Sequence, residues 1–123
     1  MVSRSLKVSL HGSPRKSHYT AAKGGLRAFT RSVARDAGPM GIRCNCIVPR
    51  IETELWRNWG KRVSAERGIA FEAWKAEFEA LAALRMIPTP EDIGHLAIFL
   101  ASDESRAITG QTINIDGGDV MVG

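Results

Sequence analysis

Cysteine is scarce in this chain: Cys44 and Cys46 are the whole complement, and two residues apart on a strand they point to the same face. Neither a Cys-x-x-Cys motif nor paired zinc-ligand spacing occurs, which excludes a disulfide framework and a zinc finger and leaves buried free thiols as the expected state. His11, His18 and His95 have no Cys or His partner at a metal-binding spacing, so no metal is expected. Long apolar runs are missing as well. No segment approaches the roughly 20 apolar residues that span a bilayer, and residues 1–8 hold no apolar core of signal-peptide length. The expectation is a cytoplasmic protein with no membrane contact. Excess charge of one sign is also slight. Seventeen Lys and Arg stand against 13 Asp and Glu, and the bases at Arg4, Arg15, Lys16, Arg27, Arg31, Arg35, Lys61 and Arg62 are scattered, not aligned in a stripe, so no nucleic-acid partner is expected.

What is present reads as one α/β domain, a length of 123 residues with 44% hydrophobic content being ordinary for a globular chain. Gly12, Ser13 and Pro14 mark a loop, and Ser17 is the expected cap of a helix whose apolar residues Ala22, Leu26, Phe29, Val33 and Ala37 recur at steps of three and four until Gly38-Pro39. Residues 43–48 read as a short strand closed by Pro49, in the position of a parallel βα unit. Leu55, Trp56 and Trp59 then form one short helical piece, Gly60 and Gly68 interrupt, and Phe71, Trp74, Phe78 and Leu81 form a second amphipathic stripe. These aromatics either line a substrate pocket or pack the domain. Thr89-Pro90-Glu91-Asp92 is a helix start, with Thr as cap, Pro at the first position and two acids at the positive end of the dipole. Ile93, Leu96, Ala97 and Leu100 are its expected buried face. A last strand is expected over residues 112–116, ended by Gly117-Gly118.

The chemistry-bearing feature is Tyr19 with Lys23, four apart in Ser17-His18-Tyr19-Thr20-Ala21-Ala22-Lys23-Gly24-Gly25 and therefore on one helical face. A cation held beside a phenol favours the ionised form, which suits the phenol to general acid or base work. With the surrounding small residues, with Gly41-Ile42-Arg43-Cys44-Asn45 and with Asn114-Ile115-Asp116-Gly117-Gly118, the stretch from Ser13 to Asp116 resembles the C-terminal half of a short-chain dehydrogenase/reductase. The resemblance implies that Tyr19 exchanges a proton with the substrate oxygen while NAD or NADP exchanges hydride with the adjacent carbon, and that Lys23 eases the tyrosine's ionisation and hydrogen-bonds the nicotinamide ribose. It implies a substrate-holding serine, whose place falls without a gap on Leu6; a one-residue slip makes Ser5 the candidate, with Ser3 and Ser9 behind it. The family pattern after the strand is Pro-Gly, three residues, then Thr. Here it is Pro49-Arg50-Ile51-Glu52-Thr53, one residue short. Pro49, Ile51 and Thr53 are the candidate cofactor contacts, Thr53 being equally readable as a helix cap, and arginine in place of glycine is expected to strain or displace the turn.

One further absence bounds the reading. No glycine-rich turn follows a strand at a helix start, since Gly24-Gly25 lies inside a helix and Gly38-Pro39-Met40-Gly41 joins a helix to a strand. The expected fold is thus α/β, the C-terminal half of a Rossmann-like doubly wound parallel sheet with the N-terminal nucleotide-binding half missing. Residues 1–123 form one partial domain, with a catalytic helix at 17–38, a substrate-loop segment at 52–87 and a last helix and strand at 90–118. Only two strands are clear, with a possible third at residues 1–8, so the open sheet edge is expected to drive homo-oligomerisation or docking of a complementary N-terminal half, or to leave the chain only partly ordered alone. Two functions follow: a nicotinamide-dependent interconversion of a small-molecule alcohol and carbonyl, inactive in the isolated chain, or a non-catalytic remnant or interaction module that retains the packing and the oligomer-forming helices but binds no dinucleotide.

Overall fold

Residues 15–121 are described by the computed structural model. Ser5, its substitutes Ser3 and Ser9, and the possible strand at residues 1–8 lie outside the described residues. In chain order the elements are α1 (Ser17–Ala37), a 3-10 turn (Gly38–Met40), β1 (Cys46–Pro49), α2 (Glu54–Glu66), α3 (Phe71–Glu79), α4 (Pro90–Ala101), a second 3-10 turn (Asp103–Ser105) and β2 (Thr112–Ile115). The two strands pair in parallel, Cys46 opposite Thr112 and Pro49 opposite Ile115. A parallel pair needs a long crossover, and α2, α3 and α4 supply it.

β1 starts three residues later than the periodicity predicts, because Arg43 and Asn45 have other partners. Arg43 donates from Nη1 to Ser105 Oγ at 2.9 Å and from Nη2 to the Ser102 carbonyl at 3.1 Å. Asn45 donates to the Ile108 carbonyl at 2.9 Å and accepts from the Gln111 N–H at 3.1 Å. Side chains and one backbone bond, from Gly110 N to the Cys44 carbonyl at 2.7 Å, hold residues 43–45 to the loop that enters β2. Ladder donation then runs from Cys46 N to Gln111 and from Arg50 N to Ile115. Pro49, with no N–H to give, falls between those donors and costs the pairing nothing.

Ser17 is not the cap of α1; it is the first helical residue, and Lys16 precedes it without a side-chain cap bond. The buried face keeps Ala37 of the expected stripe, with Val33 half-buried, and otherwise differs from it. Thr30, Ala34 and Ala37 are the buried residues, whereas Leu26 and Phe29 are 46% and 62% exposed. Small side chains let α1 lie close to the sheet: a Cβ placed on Gly110 would already stand 3.4 Å from Ala34 Cβ. The one polar member, Thr30, returns its hydroxyl to the Leu26 carbonyl at 2.8 Å. Ranking by bulk selects a stripe that meets this one only at Ala37.

Gly60 does not interrupt α2, which runs through it to Glu66; the break comes at Gly68, whose φ is +66°. At the start of α4 the expected cap is present in full. Thr89 Oγ1 accepts from Asp92 N, and Asp92 Oδ2 accepts from Thr89 N at 2.8 Å, a reciprocal box with Pro90 at the first position. The expected inner face of α4 is only half-buried, Ala97 is exposed, and Ile98 on another face is 70% exposed. A helix apolar on more than one side has more surface to cover than one sheet can. Gly117 and Gly118, at φ +69° and +81°, end β2 as expected.

Candidate functional site

Tyr19 and Lys23 stand one turn apart near the start of α1, Tyr19 half-buried and Lys23 exposed. Lys23 Nζ lies 5.6 Å from the centroid of the Tyr19 ring, within cation–π reach of its face. The helix therefore brings the phenol and the ammonium together on one side, with the charge above the ring and not in line with the hydroxyl.

The other candidates follow β1 at its carboxyl end, where ligands of open parallel sheets are bound. Pro49 ends the strand, and Ile51 and Thr53 are half-buried beyond it. The anticipated strain is absent. Arg50 is not among the described residues with positive φ, which apart from glycines are Arg15 and Arg85, and its N–H extends the ladder to Ile115 at 3.0 Å. Thr53 caps α2, its Oγ1 accepting from the Trp56 N–H at 3.1 Å. One acceptance still leaves a hydroxyl its own proton to donate. Between them Glu52 takes Arg57 Nε at 2.6 Å and Lys75 Nζ at 2.9 Å. Burial works to raise the Glu52 carboxyl, but the hydrogen bonds from Lys75 and Arg57 outweigh it and hold it below its ordinary value. The same bond to Glu52 holds Lys75 above its own. No hydrogen bond or ion pair among the described residues joins the tyrosine pair to this turn.

The aromatic segment is packed, not displayed. Trp56 and Trp74 are 2% and 4% exposed, their ring centroids 5.1 Å apart, and Trp56 meets Phe78 edge-on at 5.2 Å. Of the two roles open to these residues, the buried pair takes the packing one. A cleft of about 440 Å³ opens instead at the end of β2, between Ala83, Leu84, Met86, Pro88, Ile115 and Gly117, and neither Tyr19 nor Lys23 lines it.

Two residues carry a structural role that the sequence did not assign them. Asp116, 8% exposed, accepts from the N–H groups of Gly118 and Val120 and so closes the turn after β2. Arg50 is 2% exposed, with its guanidinium 4.2 Å over the Phe78 ring and Nη2 donating to the Phe78 carbonyl at 2.6 Å. The one-residue shortening after Pro49 was the available signal for Arg50, though nothing in it says that the new side chain turns inward. Among the described residues no group of three or more His, Cys, Asp or Glu could hold a metal ion, and no helix is long and apolar enough to cross a membrane.

Comparison with known proteins places these features in a family. The pattern described as enoyl-(acyl carrier protein) reductase matches residues 1–119. The short-chain dehydrogenase/reductase eriH of Hericium erinaceus is 45% identical over 113 residues, covering 90% of this chain and 40% of that protein. The 3-oxoacyl-acyl-carrier-protein reductase FabG of Chlamydia muridarum is 35% identical over 114 residues, covering 90% and 41%. In structure, a short-chain dehydrogenase family protein of Francisella tularensis superposes with a TM-score of 0.77 at 36% identity, covering 87% of this chain and 45% of that one. Sorbitol-6-phosphate 2-dehydrogenase of Erwinia amylovora gives 0.81 at 28%, covering 94% and 46%. The chain spans about two fifths of the length of the curated relatives it matches.

Proposed function

The chain belongs to the short-chain dehydrogenase/reductase family, and from that premise we propose that it carries the proton-transfer and substrate-side half of an oxidoreductase that interconverts an alcohol and a carbonyl. The observation that carries the reading is the placing of Lys23 Nζ 5.6 Å from the Tyr19 ring on one face of α1. A bound NAD or NADP supplies the hydride. Tyr19 holds the proton at Oη and gives it to the carbonyl oxygen during reduction, or takes it from the hydroxyl during oxidation. Lys23, one turn along on the same face of α1, would offer its Nζ as the donor toward the nicotinamide ribose. Pro49, Ile51 and Thr53, whose hydroxyl keeps a proton to donate, are the residues at the carboxyl end of β1 that would hold the nicotinamide. In this reading residues 17–38 are the catalytic helix, 52–87 the substrate-side segment and 90–118 the last helix and strand. The residues fit such a cofactor only in part, since the described ones hold no phosphate-cradling turn, and the complementary N-terminal half, or a second copy, is the partner the reading requires.

The test is restoration. Supplied with an N-terminal half from a relative, the chain is expected to oxidise NADH or NADPH with a carbonyl substrate, and Tyr19→Phe to lose a factor of about 100 to 10,000 in rate. Equal turnover without the hydroxyl would remove Tyr19 from the mechanism. Fluorescence titration of the isolated chain with NADH and NADPH addresses the non-catalytic alternative: tight, saturable binding rules it out.

A further inference from the structure

Arg50 is a charged side chain with 2% exposure at the position where the family pattern has glycine. It touches three separate parts of the chain. Its N–H belongs to the β1–β2 ladder; Nη2 and the guanidinium plane hold the carbonyl and the ring of Phe78 in the last turn of α3; and Nε lies 3.9 Å from Asp119 Oδ2, also 2% exposed, in the turn after β2. Nε and Nη1 have no hydrogen-bond partner among the described residues. An anionic ligand does not suit those open donors, because Asp119, Asp116 and Glu79 already surround the guanidinium with negative charge. Burial lowers the Arg50 pKa and those charges offset it only in part, but a guanidinium stays a cation in a folded protein.

We propose that Arg50 is a positioning residue that clamps the C-terminal end of α3 onto the turn at 116–120, fixing residues 78–85 at the carboxyl end of the sheet before a substrate arrives. The backbone around the clamp agrees with this. Leu84 N donates to the Gly117 carbonyl at 2.9 Å and Ala83 N to that of Gly118 at 3.4 Å. A Cβ on Gly118 would stand 2.9 Å from Ala83 Cβ, so the two turns are in contact. Arg85, next in line, holds φ at +50°, a conformation that persists in a non-glycine residue only where its surroundings enforce it. The clamp stands on this geometry alone; its consequence for substrate rests on the oxidoreductase reading.

Hydrogen exchange on the 123-residue chain tests it, comparing wild type with Arg50→Met, Arg50→Lys and Asp119→Asn. Exchange at residues 83–85 and 118–120 is expected to rise at least tenfold in Arg50→Met and by less in the other two, while amides in the middle of α1 change less than twofold. No protection at 83–85 in the wild type, an unchanged rate in Arg50→Met, or an equal rise throughout α1 would overturn the clamp. Should Arg50→Met fail to fold, Arg50→Lys and Asp119→Asn decide the matter by the same criterion. In the rebuilt enzyme KM is expected to rise more than kcat falls, with part recovered by Arg50→Lys. Opened exchange with both constants unmoved would refute the substrate-placing role while the clamp stands, and only full activity in Tyr19→Phe would count against the oxidoreductase reading itself.

Discussion

At Gly60 a missing side chain is what allows two helices to touch. A Cβ built there meets the six-membered ring of Trp74 at 2.2 Å, closer than any relaxation of a packed indole can absorb. Trp74 is itself wedged between Trp56, Trp59, Phe71 and Phe78, with centroids 5.1 to 5.8 Å away. Gly60→Ala is therefore expected to lower stability by about 2 to 3 kcal/mol, the cost of overpacking in a tight core. Gly24→Ala is the control in the opposite direction: nothing lies within 4 Å of that Cβ, and alanine gains about 0.5 to 1 kcal/mol over glycine inside a helix. Urea midpoints measured side by side, at unchanged slope, check both signs. The contrast also shows where reading from sequence stops. Both glycines lie within helices, yet one is required by a neighbour fourteen positions away and the other is not, and no local pattern separates them. Arg50 is a similar case: a residue judged by its unsuitability for a glycine turn is placed by a carbonyl and a carboxylate far along the chain.

Among local signals the Thr89–Asp92 box is present in full and the Ser17 cap is not, while tertiary contact set the start of β1 and the buried face of α1. The Glu52–Lys75 bond belongs to this scale, since it ties the turn leaving β1 to the middle of α3. Both side chains are more than two-thirds buried, at 20% and 26% exposure. The Glu52 carboxyl is depressed in the folded chain, so its contribution is present above the ordinary carboxylate value and is lost as pH falls through that range toward the folded value. Lys75 is raised, so its contribution is present below the ordinary lysine value and is lost only as pH climbs past it. The pair is complete between the two. Glu52→Gln is expected to cost about 1 kcal/mol at neutral pH and to flatten the fall in urea midpoint from about pH 6 to about pH 3. An unchanged acid slope in the variant would show that this bond holds nothing together.

Over the whole molecule, the described residues leave several large apolar side chains uncovered. Leu26 and Phe29 on α1, Ile42 after it and Ile98 on α4 are 46% to 70% exposed, and β1 has β2 on one side with no strand on the other among the described residues. The parallel order of the two strands and the family were readable from motifs that span the chain. The unfilled side of the sheet followed from the same motifs, because a parallel sheet is covered on both faces. The outward turn of the bulky stripe on α1 did not follow, since a hydrophobic face says that something covers it and not what. For the 123-residue chain by itself, association through this surface is expected. Alone at micromolar concentration, the chain is expected to sediment above the mass of one copy, and addition of an N-terminal half from a relative is expected to replace that species with a one-to-one complex. Leu26→Glu with Phe29→Glu is expected to abolish both associations while leaving the helical circular dichroism nearly intact, because neither side chain lies on the face that meets the sheet. A monodisperse single copy of the unaltered chain that unfolds in one cooperative step would show that this surface needs no cover.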